Sequence, residues 1–116
     1  MRIASLRLPF DAQPVREVPD AQGVFTLWDH GECVLIGHTP WNLSLRDYLR
    51  EHLALRDERA LKATHFTWEV TPTPKSRETK LLDEWRLRHG SLPRYNRLGT
   101  PLVPRRSCVT DLRART

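Results

Sequence analysis

Residues 23–46 read GVFTLWDHGECVLIGHTPWNLSLR, and the parsing of this stretch decides the fold. Val24–Trp28 and Cys33–Ile36 are short apolar runs rich in strand-forming residues, separated by Asp29-His30-Gly31-Glu32. Turn-forming residues between two such runs predict a hairpin. Both runs are apolar on both faces, so the hairpin is expected inside a sheet covered on its two sides. Pro40 ends the second strand. Asn42 then stands where a side chain caps a helix running to about Leu55, with Leu45, Tyr48, Leu49, His52 and Leu53 on its apolar stripe.

The flanks extend this pattern. Residues 1–22 contain Pro9, Pro14 and Pro19 and read as an extended lead-in, with a short edge strand near Ile3–Leu8. A second short helical piece is expected over Arg56–Lys62. Thr64–Thr71 alternates, with Phe66, Trp68 and Val70 on one face and His65, Thr67 and Glu69 on the other, which predicts a half-buried strand. After the break TPTPKS, Ser76 is expected to cap a helix over Arg77–His89 that Gly90 ends, burying Leu81, Leu82 and Trp85. Pro93 blocks continuation, and residues 97–116 read as a basic, extended tail. The predicted fold class is α/β (α+β), a small three-stranded, mainly antiparallel sheet flanked by helices, within residues 23–96.

A chain of 116 residues has room for one compact domain. Its formal net charge is +5, and sixteen of its nineteen basic residues are arginine. From Glu84 onward eight arginines stand against Glu84 and Asp111, whereas residues 1–83 hold eleven basic and twelve acidic side chains. The excess positive charge therefore sits in the last third. Arginine pairs with phosphate through a planar fork, so a polyanionic partner is one reading and a solvated basic tail the other. Cys33 and Cys108 have no CxxC spacing, which argues against a disulfide scaffold or a structural zinc site. No run resembles a signal peptide or a membrane span, so a reduced, cytoplasmic setting without a membrane partner is expected.

The motifs add a resemblance. Gly23-Val24-Phe25, followed by Leu35-Ile36-Gly37, resembles the paired triplets of the GIY-YIG nuclease superfamily. Asn42-Leu43-Ser44-Leu45-Arg46 resembles the segment that carries that family's catalytic arginine, and Leu49-Arg50-Glu51-His52 resembles the L-R-Q-H that follows it in flap-cleaving members. Leu81-Leu82-Asp83-Glu84-Trp85 resembles the metal-binding glutamate segment, and Pro93-Arg94-Tyr95-Asn96 the P-R-Y-N of the excision-repair incision domain. The resemblance implies a nucleic-acid partner, DNA first, and phosphodiester hydrolysis with Mg²⁺ or Mn²⁺. Glu84 would then be the metal ligand, Arg46 would stabilise the phosphorane-like oxygens, and Asn96 would fix local geometry through its amide. Arg50, Arg94, Arg97, Arg105 and Arg106 are the candidate nucleic-acid contacts. The chemistry asks for such residues in its own right, because hydrolysis needs an activated water and positive charge on the phosphate oxygens. One carboxylate suffices for a cation that keeps most of its waters.

One departure matters. The family usually has tyrosines where this chain has Phe25 and Leu35, so both hydroxyls that would activate or orient water are absent. His38, directly after Gly37, is the substitute base suggested by position, with His52 and Tyr48 further candidates. The resulting alternative is a catalytically inactive module of the same origin that binds DNA or a protein.

Plainer roles stand beside these. Arg46 can pair with Asp47 or Glu51, Glu84 with Arg88 one turn on, and Glu78, an alternative acid to Glu84, more simply complements the helix dipole. Trp28, Trp68 and Trp85 read as core. Trp41, between Pro40 and the helix start, is the tryptophan expected at an exposed binding face.

Overall fold

The structure, a computed structural model, describes residues 7–59 and 62–98. Its elements are β1 (Leu8–Pro9), α1 (Ala12–Arg16), β2 (Gly23–Asp29), β3 (Glu32–His38), α2 (Leu45–Arg59), β4 (His65–Val70), α3 (Pro74–His89) and α4 (Arg94–Leu98). They form a four-stranded antiparallel sheet in the order β1-β4-β2-β3, with helices on both faces. The three long strands are those expected from the sequence, and the two-residue β1 adds an edge beside β4.

The β2–β3 hairpin closes between Asp29 and Glu32, with His30 in the left-handed region at φ 59°. A bulge after Leu27 shifts the register so that Leu27 opposes Leu35 while Trp28 opposes Cys33. Register then sorts the side chains. Phe25, Leu27 and Phe66 lie on the face packed by α1 and α2, in one core with Phe10, Val15, Val18, Leu45 and Leu49. Thr26, Trp28, His38 and Glu69 share the other face, covered by α3. There the Thr26 and Thr67 hydroxyls meet at 2.5 Å, and the Trp28 indole N–H donates to Thr26 Oγ1 at 2.7 Å. The buried polar groups of this face are thereby paired. Burial pushes the Cys33 thiol up to about 12, which leaves it an inert core residue.

Four expectations are corrected. The lead-in is not simply extended: α1 forms within it, and Phe10, Val15 and Val18 are buried. Pro14 is the third residue of α1, in the first turn, where a helix has no use for the missing N–H. The cap of α2 is Ser44 rather than Asn42, since Ser44 Oγ accepts the Asp47 N–H at 3.2 Å. The helix then runs unbroken to Arg59 instead of dividing near Arg56. Finally, α3 begins at Pro74 and not after Ser76, because proline is well suited to the first helical position. Its end is as expected, with Gly90 at φ 84° closing the last turn onto the Arg86 carbonyl at 2.8 Å.

Candidate functional site

The strands have two ends, and the candidate residues divide between them. At the first end stand Gly23, the close of β3 at His38, the starts of α2 and α3, and the loop 39–44. Gly23 is there because nothing larger fits. A Cβ at this position would lie 2.2 Å from the Glu69 carbonyl oxygen and 2.7 Å from Leu45 Cδ1. Gly37 is covered in turn by the ring of Phe25, its cross-strand partner, which a Cβ would meet at 2.7 Å. Phe25 is 1 % exposed and packs edge-on against Tyr48 and His52 at centroid distances of 5.7 and 5.2 Å. Leu35 packs against the same core. Both motif positions that lack a hydroxyl are thus packing residues.

His38 and Glu78 are brought together across forty residues of sequence, with Nδ1 2.9 Å from Glu78 Oε1. A carboxylate oxygen accepts, so Nδ1 donates, and Nε2 is left without a partner among the described residues. His38 lines a cleft of about 470 Å³ together with Gln22, Thr39, Trp41, Lys75 and Ser76. Trp41 is 82 % exposed. Glu78, which the sequence offered as an alternative acid or, more simply, as a complement to the helix dipole, is the partner that orients the imidazole. No sequence signal joins the two residues, because the pairing follows from α3 lying across β3.

Arg46 also stands at this end, on the α2 side of the sheet. Its Nε donates to the Val18 carbonyl at 3.0 Å, fastening the segment after α1, and it pairs with neither Asp47 nor Glu51. Its terminal nitrogens have no partner among the described residues.

Glu84 lies elsewhere. On α3, Glu78 touches His38 near the first end while Trp85 meets Trp28 near the second, with ring centroids 6.2 Å apart. Val24, opposite His38, and Trp28 are separated by four strand residues, about 13 Å. Glu84, next to Trp85, is exposed and has no partner among the described residues, Arg88 included. It is not brought together with His38 or Arg46. Among the described residues no group of three or more His, Cys, Asp or Glu side chains could hold a metal ion.

The remaining candidates are structural or surface contacts. Asn96 Oδ1 accepts the Ile36 N–H and Nδ2 donates to the Ile36 carbonyl, both at 2.9 Å. The amide thereby completes the outer edge of β3 as a further strand would. Asn96→Ala is expected to cost about 2 kcal/mol in chemical denaturation, because two backbone groups of an edge strand lose their partner. A change within 0.5 kcal/mol would show that water replaces the amide without loss. Arg94 pairs with Glu32 at 2.9 Å at the second end, and Arg97 Nε donates to the Leu92 carbonyl. Arg50 makes an exposed pair with Asp47 at 3.5 Å. Arg105 and Arg106 lie outside the described residues.

Among the described residues no helix is long and apolar enough to cross a membrane. Comparison with curated proteins finds no match, and comparison with solved structures finds none. One family model matches, that of a domain of unknown function (DUF7508), over residues 1–88. That span takes in β1 to β4 and the loop that carries Trp41, and it stops before Asn96. The chain belongs to the DUF7508 family.

Proposed function

We propose that this chain is a nucleic-acid-binding module on a GIY-YIG-type scaffold, and that binding rather than metal-dependent cleavage is its activity. The observation that carries this reading is the division of the candidates. Arg46, His38, Lys75 and the cleft occur at one end of the sheet, while Glu84 belongs to the other. The residues present do not fit a Mg²⁺ or Mn²⁺ centre at the cleft, because Glu84 lies toward the other end of the sheet, the cleft lining holds no carboxylate, and Glu78 beside it is engaged by His38. Positive charge without a metal suits a phosphate backbone, whose contacts give affinity irrespective of sequence.

A second reading is favoured by the His38–Glu78 pair alone. A carboxylate-oriented imidazole with a free Nε2 has the arrangement of a general base. In that reading Nε2 takes a proton from water as its oxygen bonds to phosphorus. The opposite P–O bond breaks, and the leaving oxygen takes a proton from solvent.

One set of reactions separates these readings. Supercoiled plasmid and flapped or branched DNA oligonucleotides are incubated with the protein in Mg²⁺, in Mn²⁺ and in chelator, beside His38→Ala and Glu84→Ala. The binding module is expected to retard the DNA with an affinity that falls steeply with salt, and to leave it intact. Cleavage lost in His38→Ala would favour the second reading. Cleavage lost in Glu84→Ala would overturn the division of the two ends, and absence of any binding would end both readings.

A further inference from the structure

Trp41 combines two properties that seldom coincide. It is 82 % exposed, yet the loop beneath it is fixed on both sides. The Gln22 amide donates to the Pro40 and Leu43 carbonyls at 2.8 and 2.6 Å, with the Trp41 carbonyl at 3.4 Å. Thr39, buried, donates its N–H to the Gly23 carbonyl at 2.9 Å and accepts the Gly23 N–H at 3.1 Å. Leu45 N–H closes onto the Ala21 carbonyl at 2.8 Å. A large indole is therefore held out at the rim of the cleft on backbone that is already ordered, so little ordering of the loop remains to be done on binding.

The opposite wall of the cleft carries Lys75 and Ser76 from the first turn of α3, which contains no acidic residue. The carboxylates near it are already engaged, Glu78 by His38 and Glu69 by Arg77. An exposed aromatic face beside a cationic wall matches one chemical class above others: a π-faced heterocycle joined to an anion. A base inside a duplex is already stacked on both sides and cannot offer its face, whereas an unpaired base can.

We infer that the cleft binds an unpaired nucleotide of a single-stranded segment, with its base stacked on Trp41 and its phosphate directed toward Lys75. This rests on the nucleic-acid reading above and narrows it to strands with unpaired bases. Stacking tolerates any base, so the site reads strandedness and not sequence. Alanine at a stacking position typically weakens binding by about five- to 150-fold.

The test is fluorescence anisotropy with an end-labelled dT oligomer and a blunt duplex of equal length. The proteins compared are the wild type, Trp41→Ala, Trp41→Phe and Lys75→Ala. Because Trp41 buries almost nothing, the variants should keep the wild-type thermal midpoint, which is measured alongside. The wild type is expected to prefer the single strand. Trp41→Ala should weaken single-strand binding about tenfold or more, Trp41→Phe should retain most of it, and duplex binding should be unchanged by either. Lys75→Ala should reduce affinity and flatten its salt dependence. Equal single-strand affinity in Trp41→Ala, or a preference for duplex, would overturn the inference while leaving nucleic-acid binding intact. A wild type that binds neither oligomer would overturn both, and binding of a proline-rich peptide in its place would assign the indole to a protein partner.

Discussion

Gly23→Ala is expected to lower the stability of the domain by about 3 kcal/mol or more, and its thermal midpoint by about 10 °C or more. The added methyl would sit 2.2 Å from the Glu69 carbonyl oxygen, and that atom belongs to the neighbouring strand's backbone. A flexible side chain could swing aside; a paired strand cannot. Withdrawal in the other direction is blocked as well, since Gly23 is tied to Thr39 through both its N–H and its carbonyl. Strand separation would break the β2–β4 ladder and move Leu45, which roots α2 in the core. Gly31→Ala is the control, because a Cβ there meets nothing within 4 Å, and it should change stability by no more than about 0.5 kcal/mol. Equal midpoints for the two variants would show that the strand pair yields, and that the first glycine of the motif is not a packing requirement.

The second large effect is a loss of stability in acid. His52 is 3 % exposed, its Nδ1 donates to the Tyr48 carbonyl at 3.0 Å, and its ring lies between Phe25 and Tyr48. Burial among these rings lowers its pKa from 6.5 to about 4, opposed in part by the hydrogen bond to Tyr48. The unfolded chain therefore takes up a proton that the folded chain refuses between pH 6.5 and about 4. Stability from this group is fully present above that window, falls as the pH drops through it, and levels off below it. The loss should be on the order of 3 kcal/mol. Urea denaturation at a series of pH values reads it directly, and a neutral isostere of similar size, His52→Gln, should flatten the profile whatever it does to stability at pH 7. A wild-type profile that is already flat between pH 4 and 6.5 would mean that the imidazole is charged, or reached by water, in the folded state. The same burial removes His52 from the candidate bases, since a group sealed behind Phe25 and Tyr48 meets no substrate.

The hairpin, the β4 alternation and the Gly90 stop of α3 were legible because each is a local pattern, with period two or one residue of unusual backbone freedom. The elements that escaped were α1 and the short α4. Pro9, Pro14 and Pro19 suggest extended chain, yet Pro14 falls in a first turn, where it costs no hydrogen bond, and Val15 and Val18 reach the core. Pro74 misled in the same way, opening a helix where proline seemed to delay one. At the site, the exposure of Trp41 could be expected from its position between a proline and a helix start. The His38–Glu78 contact could not, because it depends on which strand α3 crosses and in which direction it runs. That direction also carries Glu84 toward the far end, six residues and about 9 Å of helix beyond Glu78. Order along the chain matched a single site, but the helix axis does not.

The contact proposed for one end of the sheet, around His38, Trp41 and Lys75, with nucleic acid is open to direct observation. It is tested most directly by titrating the ¹⁵N-labelled protein with a short dT oligomer and following its amide and indole resonances. Of the four tryptophan indole signals, that of Trp41 should move, with the amides of Thr39 and Lys75, while those of Trp28 and Trp85 stay in place. Shifts centred on Glu84, Trp85 and Arg94, with Trp41 unmoved, would contradict the account.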